Sequence, residues 1–270
     1  MSEAPEFVQI DWRGAPVRIE VQWIGSERTK VPLVVFLHEG LGSVAQWKDF
    51  PQRLCAAAGC RGLVYSRPGY GRSTQRGALE EWKSDFMHRQ ALEVLPPLLA
   101  ELGIVEKPWL LGHSDGASIA LLYAARWPNA VAGLIVIAPH IFVEDLSVAS
   151  IELAREAYLE QGLRQGLAKY HDDPDSAFWG WNRIWLDPAF RDWSIADEIG
   201  TIHCPLLAAQ GVDDEYGTMR QVLGIAQRLP QTELLALPDC GHSPDRDQPD
   251  RLITAINDFL QRHHNPGDKP

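Results

Sequence analysis

Trp109–Ala117 reads WLLGHSDGA. A short apolar run ends at Gly112, and a stretch rich in Ala and Leu begins at Gly116. Between them lies Gly112-His113-Ser114-Asp115-Gly116, a G-x-S-x-G. A serine on so sharp a strand-to-helix turn sits in strained backbone, and the two glycines remove Cβ atoms that would strike neighbouring chain. The hydroxyl then projects from the strand end. The positive end of the following helix lies beside any oxyanion that develops there.

Outward from this turn the chain alternates. Pro32–Leu37, Gly62–Tyr65, Val131–Ala138 and Pro205–Ala209 are, like Trp109–Leu111, short and almost continuously apolar. Strands buried on both faces of a parallel sheet have this look. Helical patterns separate them: Gln46–Ala58, Trp82–Leu102, Gly116–Arg126, Gly217–Leu229 and Pro249–Arg262. Phe7–Ile10 and Val17–Trp23 alternate around Gly14-Ala15-Pro16 and predict an antiparallel hairpin with one wet face. The expected class is α/β, a mostly parallel, doubly wound sheet with an N-terminal antiparallel hairpin. In such a sheet ligands bind at the carboxyl ends of the strands. From about 141 to 203 the rhythm breaks into helical, Trp-rich sequence, read as a helical cap inserted over the strand ends. Residues 1–140 and 204–264 then form the core, 141–203 the cap, and 265–270 a tail.

The length of 270 residues fits one such domain with an insertion, and 45% apolar against 23% charged residues is ordinary for a soluble globule. The net charge of −11 opposes binding to nucleic acid or to an anionic membrane surface. No apolar run is long enough to span a bilayer, and the acidic N-terminus does not read as a secretory signal. Cys55, Cys60, Cys204 and Cys240 have no CxxC spacing and read as reduced, buried thiols of a cytoplasmic protein. No metal-ligand spacing and no nucleotide-binding glycine pattern is present, so neither metal nor cofactor is expected. The expected partner is a small-molecule substrate, and the sequence sets no oligomeric state.

Over essentially its full length the chain resembles the α/β-hydrolase superfamily. The hairpin, the alternating strands and helices, the elbow serine and the helical insertion all match. That family runs nucleophile, acid, histidine along the chain. The resemblance implies Ser114, then an aspartate in Gly211-Val212-Asp213-Asp214, then His242 in Cys240-Gly241-His242-Ser243. A hydroxyl needs an adjacent base, and the base needs a carboxylate to fix its tautomer. The family's usual spacing of the acid from the strand-end glycine selects Asp214. Neighbouring side chains on an extended turn diverge, so Asp213 is expected in solvent. Some relatives place the acid after the preceding strand, which here nominates Glu144 or Asp145.

A tetrahedral intermediate needs two amide donors. The resemblance assigns them to Asp115, directly after the nucleophile, and to Gly40 in His38-Glu39-Gly40-Leu41-Gly42-Ser43. Glu39 departs from the family's usual glycine; its carboxylate must point away into solvent or meet a cation, for which Arg67 and Arg72 are the candidates. His113 reads as a packing residue. His140 follows a strand at the carboxyl edge and is a candidate pocket residue. Phe178, Trp181 and Trp185, at i, i+3 and i+7, form one helical face and are the candidate pocket roof. The implied activity is hydrolysis of a carboxylic ester or related bond on a small to medium apolar substrate. Lactone, amide and carbon–carbon hydrolysis, acyl transfer, cofactor-free oxygenation and a ligand receptor of the same fold are the alternatives.

Overall fold

The computed structural model describes residues 4–28, 30–77 and 82–263. The tail assigned to 265–270 lies outside them, as does His264. Eight strands form one sheet in the order β1-β2-β4-β3-β5-β6-β7-β8. β1 (Glu6–Trp12) and β2 (Ala15–Ile24) pair antiparallel, and β2 runs antiparallel to β4 (Arg61–Tyr65). β3 (Leu33–Leu37), β5 (Trp109–His113), β6 (Gly133–Ile137), β7 (Leu206–Gly211) and β8 (Thr232–Leu237) continue the sheet in parallel with β4. The hairpin turn sits at Arg13–Gly14, one residue earlier than the sequence suggests. Both have positive φ, 59° and 77°, and Trp12 pairs with Ala15. Two such residues match the twist of the flanking strands, so Ala15 and Pro16 belong to β2.

Alternate residues of a central strand enter opposite cores. In β3, Leu33, Val35 and Leu37 join one cluster, while Val34 and Phe36 join the other. This is why the strand reads as unbroken apolar sequence. α1 (Phe50–Ala58) and the C-terminal α10 (Pro249–His263) cover one face, with Leu54, Ile256 and Phe259 in its cluster. α2 (Phe86–Arg89), α3 (Leu95–Glu101), α4 (Asp115–Arg126) and α8 (Arg220–Arg228) cover the other. The helix expected over 82–102 is split by a π turn at Gln90–Val94. Pro96 and Pro97 have no N–H to give the preceding turn, and the wider register accommodates them.

Between β6 and β7 the chain forms α5 (Asp145–Glu160), α6 (Leu163–Leu167) and α7 (Pro174–Trp185). Asp173 caps α7 by accepting from the Ser176 amide at 2.9 Å, and Pro174 opens the first turn. The two ends of this segment clasp each other. Phe142 bridges Ser194, the Val143 amide donates to Trp193 O, and the Ile195 amide donates to Ile141 O. His171, just before α7, bonds to loops that follow β3 and β4. Its Nε2 donates to Leu41 O at 2.8 Å, and its Nδ1 accepts from the Gly71 amide at 2.9 Å. The helical segment is thereby held over the carboxyl ends of the strands. α9 (Pro244–Asp247) is a single turn before α10. No helix among the described residues is long and apolar enough to cross a membrane.

Candidate active site

Ser114 sits between β5 and α4 with φ 53° and ψ −118°, a sparsely populated conformation for an L residue. Its neighbours make the turn sterically feasible. A Cβ on Gly112 would lie 2.3 Å from Gly116 O, and one on Gly116 would lie 2.1 Å from Leu37 O. The backbone is pinned by the Ser114 amide donating to Ile137 O, while the amides of Ala117 and Ser118 donate to Ser114 O. The amides of Asp115 and Gly116 open α4 and have no intrahelical acceptor.

The loop after β8 carries His242, whose Nε2 lies 3.0 Å from Ser114 Oγ. The turn after β7 carries Asp214, whose two oxygens both lie 2.9 Å from His242 Nδ1. Nδ1–H therefore donates to Asp214, which leaves the Nε2 lone pair facing the serine hydroxyl. Asp214 is buried and further held by the amides of Tyr216 at 2.7 Å and Gly217 at 3.1 Å and by Gln210 Nε2 at 2.6 Å. Burial works against its charge. The His242 hydrogen bond and the imidazolium charge outweigh it, so its pKa lies below the ordinary carboxylate range. Burial likewise opposes charge on His242, but Asp214 dominates and raises the imidazole pKa above the usual histidine value. Asp213 is exposed. Glu144 binds Thr218 and Gln221, and Asp145 pairs with Arg191. Neither is a hydrogen-bond partner of His242.

His113, in the elbow, donates from Nε2 to His242 O at 2.7 Å and so fixes the loop that carries the base. Glu39 meets neither candidate arginine. Its carboxylate accepts from the Leu41 amide at 2.6 Å and from Gln46 Nε2 at 3.4 Å, so its own loop satisfies it. Arg67 instead reaches the carbonyls of His38 and Glu39, and its nearest carboxylate is Asp115, at 4.0 Å. Arg72 is exposed. Asp115 is fully buried, which pushes its carboxyl pKa up to about 6 against the opposing pull of Arg67.

A cavity of about 200 Å³ opens over Ser114 and His242. Gly40, Trp181, Trp185 and His140 form part of its wall. Trp181 lies directly on the loop: a Cβ at Gly40 would fall 2.3 Å from its Nε1. The His140 ring stands 5.0 Å from Trp185 and 5.7 Å from His242, and burial drives its pKa down to about 3, so it is neutral at ordinary pH. Phe178 is not in this wall. It stacks on Tyr158 of α5 at 3.7 Å, inside the helical segment. The sequence reading missed Ile151, Leu163 and Leu167 from α5 and α6, which complete the apolar side, and Tyr216, whose ring lies 4.8 Å from His242. Their only signal is their apolar character on short amphipathic stretches. Glu39, Glu215 and Arg246 supply the charged part of the wall.

A sequence profile of the Alpha/beta hydrolase family matches residues 34–255, and the chain belongs to that family. Its relatives include proteins named for different hydrolytic activities. It is 23% identical to the 2-hydroxy-6-oxononadienedioate/2-hydroxy-6-oxononatrienedioate hydrolase of Comamonas testosteroni, over 96% of this chain and 97% of that one. It is 23% identical to a proline iminopeptidase of Lactobacillus helveticus, over 89% and 93%. Among solved structures, a thermophilic esterase from Thermogutta terrifontis superposes with a TM-score of 0.74 at 21% identity, over 96% of this chain and all of that one.

Proposed function

We propose that the protein is a serine hydrolase that cleaves a carboxylic ester, or a closely related carbonyl bond, of a small to medium apolar substrate. The observation that carries this reading is the continuous hydrogen-bond chain Ser114–His242–Asp214, at 3.0 and 2.9 Å, under a cavity with an indole-lined wall. Ser114 Oγ attacks the carbonyl carbon as His242 Nε2 takes its proton. The amides of Gly40 and Asp115 hold the oxyanion. His242 gives the proton to the departing alcohol, the C–O bond breaks, and the acyl group stays on Ser114. Water then attacks, with His242 as base, releasing the acid and restoring the serine. The helices between β6 and β7 act as the cap, and Trp181 and Trp185 shape the acyl site. The reading places this chemistry in the cytoplasm.

The substrate named for the Comamonas relative is a dioate. Among the described residues the wall here carries Glu39 and Glu215 against one cation, Arg246, which disfavours a doubly anionic ligand. A fluorophosphonate probe is expected to label Ser114 alone, with hydrolysis of p-nitrophenyl acetate that disappears in Ser114→Ala. Labelling of another serine, or unchanged turnover in Ser114→Ala, overturns the mechanism. Tight ligand binding with no turnover favours a receptor instead.

A further inference from the structure

Arg67 is 1% exposed and its guanidinium lies under the loop that follows β3. NH1 donates to His38 O at 2.7 Å, and NH2 donates to Glu39 O at 3.0 Å. The Arg67 amide donates to His38 Nε2 at 3.0 Å. That bond assigns the imidazole proton to Nδ1, which donates to the same Glu39 O at 2.7 Å. The Gly42 amide also donates there, at 3.1 Å. One carbonyl oxygen thus accepts from three donors, one of them a buried cation. The other end of that peptide is the Gly40 N–H.

We infer that Arg67 is a positioning residue of the oxyanion site, which grips the Glu39–Gly40 peptide and strengthens its N–H as a donor. The inference rests on the hydrolase reading above. A trans peptide is planar, so fixing the carbonyl fixes the direction of the N–H opposite it. Donors on the oxygen draw electron density through the amide and make that N–H a better hydrogen-bond donor. A cationic donor does so more strongly than a neutral one. Arg67 also couples the two halves of the site. Its NH2 lies 4.0 Å from a carboxylate oxygen of Asp115, the residue whose amide is the second donor. At 4.0 Å the pair is not hydrogen-bonded, so the carboxylate holds the guanidinium by charge. A buried ion pair of this kind adds little to stability, because desolvation offsets the attraction. Its effect here is to hold the two amides in fixed relation, which is what preorganised oxyanion stabilisation requires.

The test uses Arg67→Gln, Arg67→Lys and Asp115→Asn in the full chain. Active sites are titrated by a fluorophosphonate burst, so that kcat refers to folded, competent enzyme. Removing a whole oxyanion donor costs about 10²–10³ in kcat, so weakening and loosening one is expected to cost about 10-fold or more, with KM changed less than about twofold. Affinity for a trifluoromethyl ketone, whose adduct places an oxyanion in the site, falls in parallel with kcat. Affinity for an unreactive ether analogue of the ester stays. Arg67→Lys recovers part of the loss, because one cation reaches one carbonyl. If Arg67→Gln does not fold, Arg67→Lys and Asp115→Asn decide, each with a smaller loss of the same pattern. Wild-type kcat per titrated site in the folded variants, or a loss confined to KM, overturns the inference alone. A wild-type chain that neither labels nor turns over overturns the hydrolase reading with it.

Discussion

Asp214 presents both carboxylate oxygens to His242 Nδ1 at 2.9 Å, while Asp213 beside it is exposed. One residue's shift along the turn separates an orienting carboxylate from a solvated one. Asp214→Asn is therefore expected to leave the wrong imidazole tautomer and to lower kcat by up to ~10⁴, the figure known for a serine protease. Asp213→Asn and Asp145→Asn should turn over p-nitrophenyl acetate close to wild type. Collapse in either of those, beside near-normal turnover in Asp214→Asn, moves the acid.

The base must be neutral to take the serine proton. Asp214, with Glu39 and Glu215 behind it, raises the His242 pKa. Activity should therefore rise with pH along a limb centred above the ordinary value of about 6.5. The profile of kcat/KM against pH reads this directly. In Asp214→Asn the largest raising influence is gone, so an NMR titration of the His242 ring should move downward. An unmoved titration would detach Asp214 from the base.

The Gly40 position tolerates no side chain beneath Trp181. In Gly40→Ala the new methyl would meet the indole at 2.3 and 2.5 Å, and Trp181 is itself 6% exposed. The loop must move, and a displacement near 1 Å at a reacting centre costs on the order of 10²-fold. Gly40→Ala should lower kcat/KM by about that much, and the added Trp181→Ala change should recover part of it. Trp181→Ala alone should change selectivity most for bulky acyl chains. Purely additive losses in the double variant would separate the loop from the indole.

Acid should unfold this protein through its histidines. Burial lowers the pKa of His38, His113, His140 and His171. Each stays neutral in the fold while the unfolded chain takes up a proton below about 6.5. Their stabilisation is complete above that pH and is lost as pH falls. Asp115, raised to about 6, contributes with the opposite sign in that range, whereas His242, raised above the ordinary histidine value, titrates above it. The four outnumber the one, so the thermal midpoint should climb between about pH 4 and 6.5. A flat or falling midpoint across that window contradicts this balance.

Much of the architecture is legible in the chain because its signals are local. Strands buried on both faces must be apolar throughout, and the elbow's glycines are needed within a few residues of Ser114. The same local logic fails for α7. A stripe at i, i+3 and i+7 shows that a face is buried but not what it meets. α7 is buried along most of its length. Phe178 therefore turns to Tyr158 while Trp181 and Trp185 reach the cavity. Arg67 and Asp115 are 48 positions apart, and no pattern in either neighbourhood announces that they meet. Glu39 misleads for a related reason: its partner is the amide two residues on, not a distant cation.

The clasp at Phe142 and Ser194 has a consequence for how this scaffold changes. Residues 141–143, shortly after the chain leaves β6, and 193–195, before it returns to β7, are already tied together by backbone hydrogen bonds. Lengthening or trimming what lies between them adds little closure entropy, since each doubling of a loop costs only about 0.6 kcal/mol. The helices over the pocket are in effect a cassette on a closed stem. Their substitution by helices of other lengths is expected to leave β6 and β7 in register, so that selectivity is rebuilt without re-solving the fold beneath it.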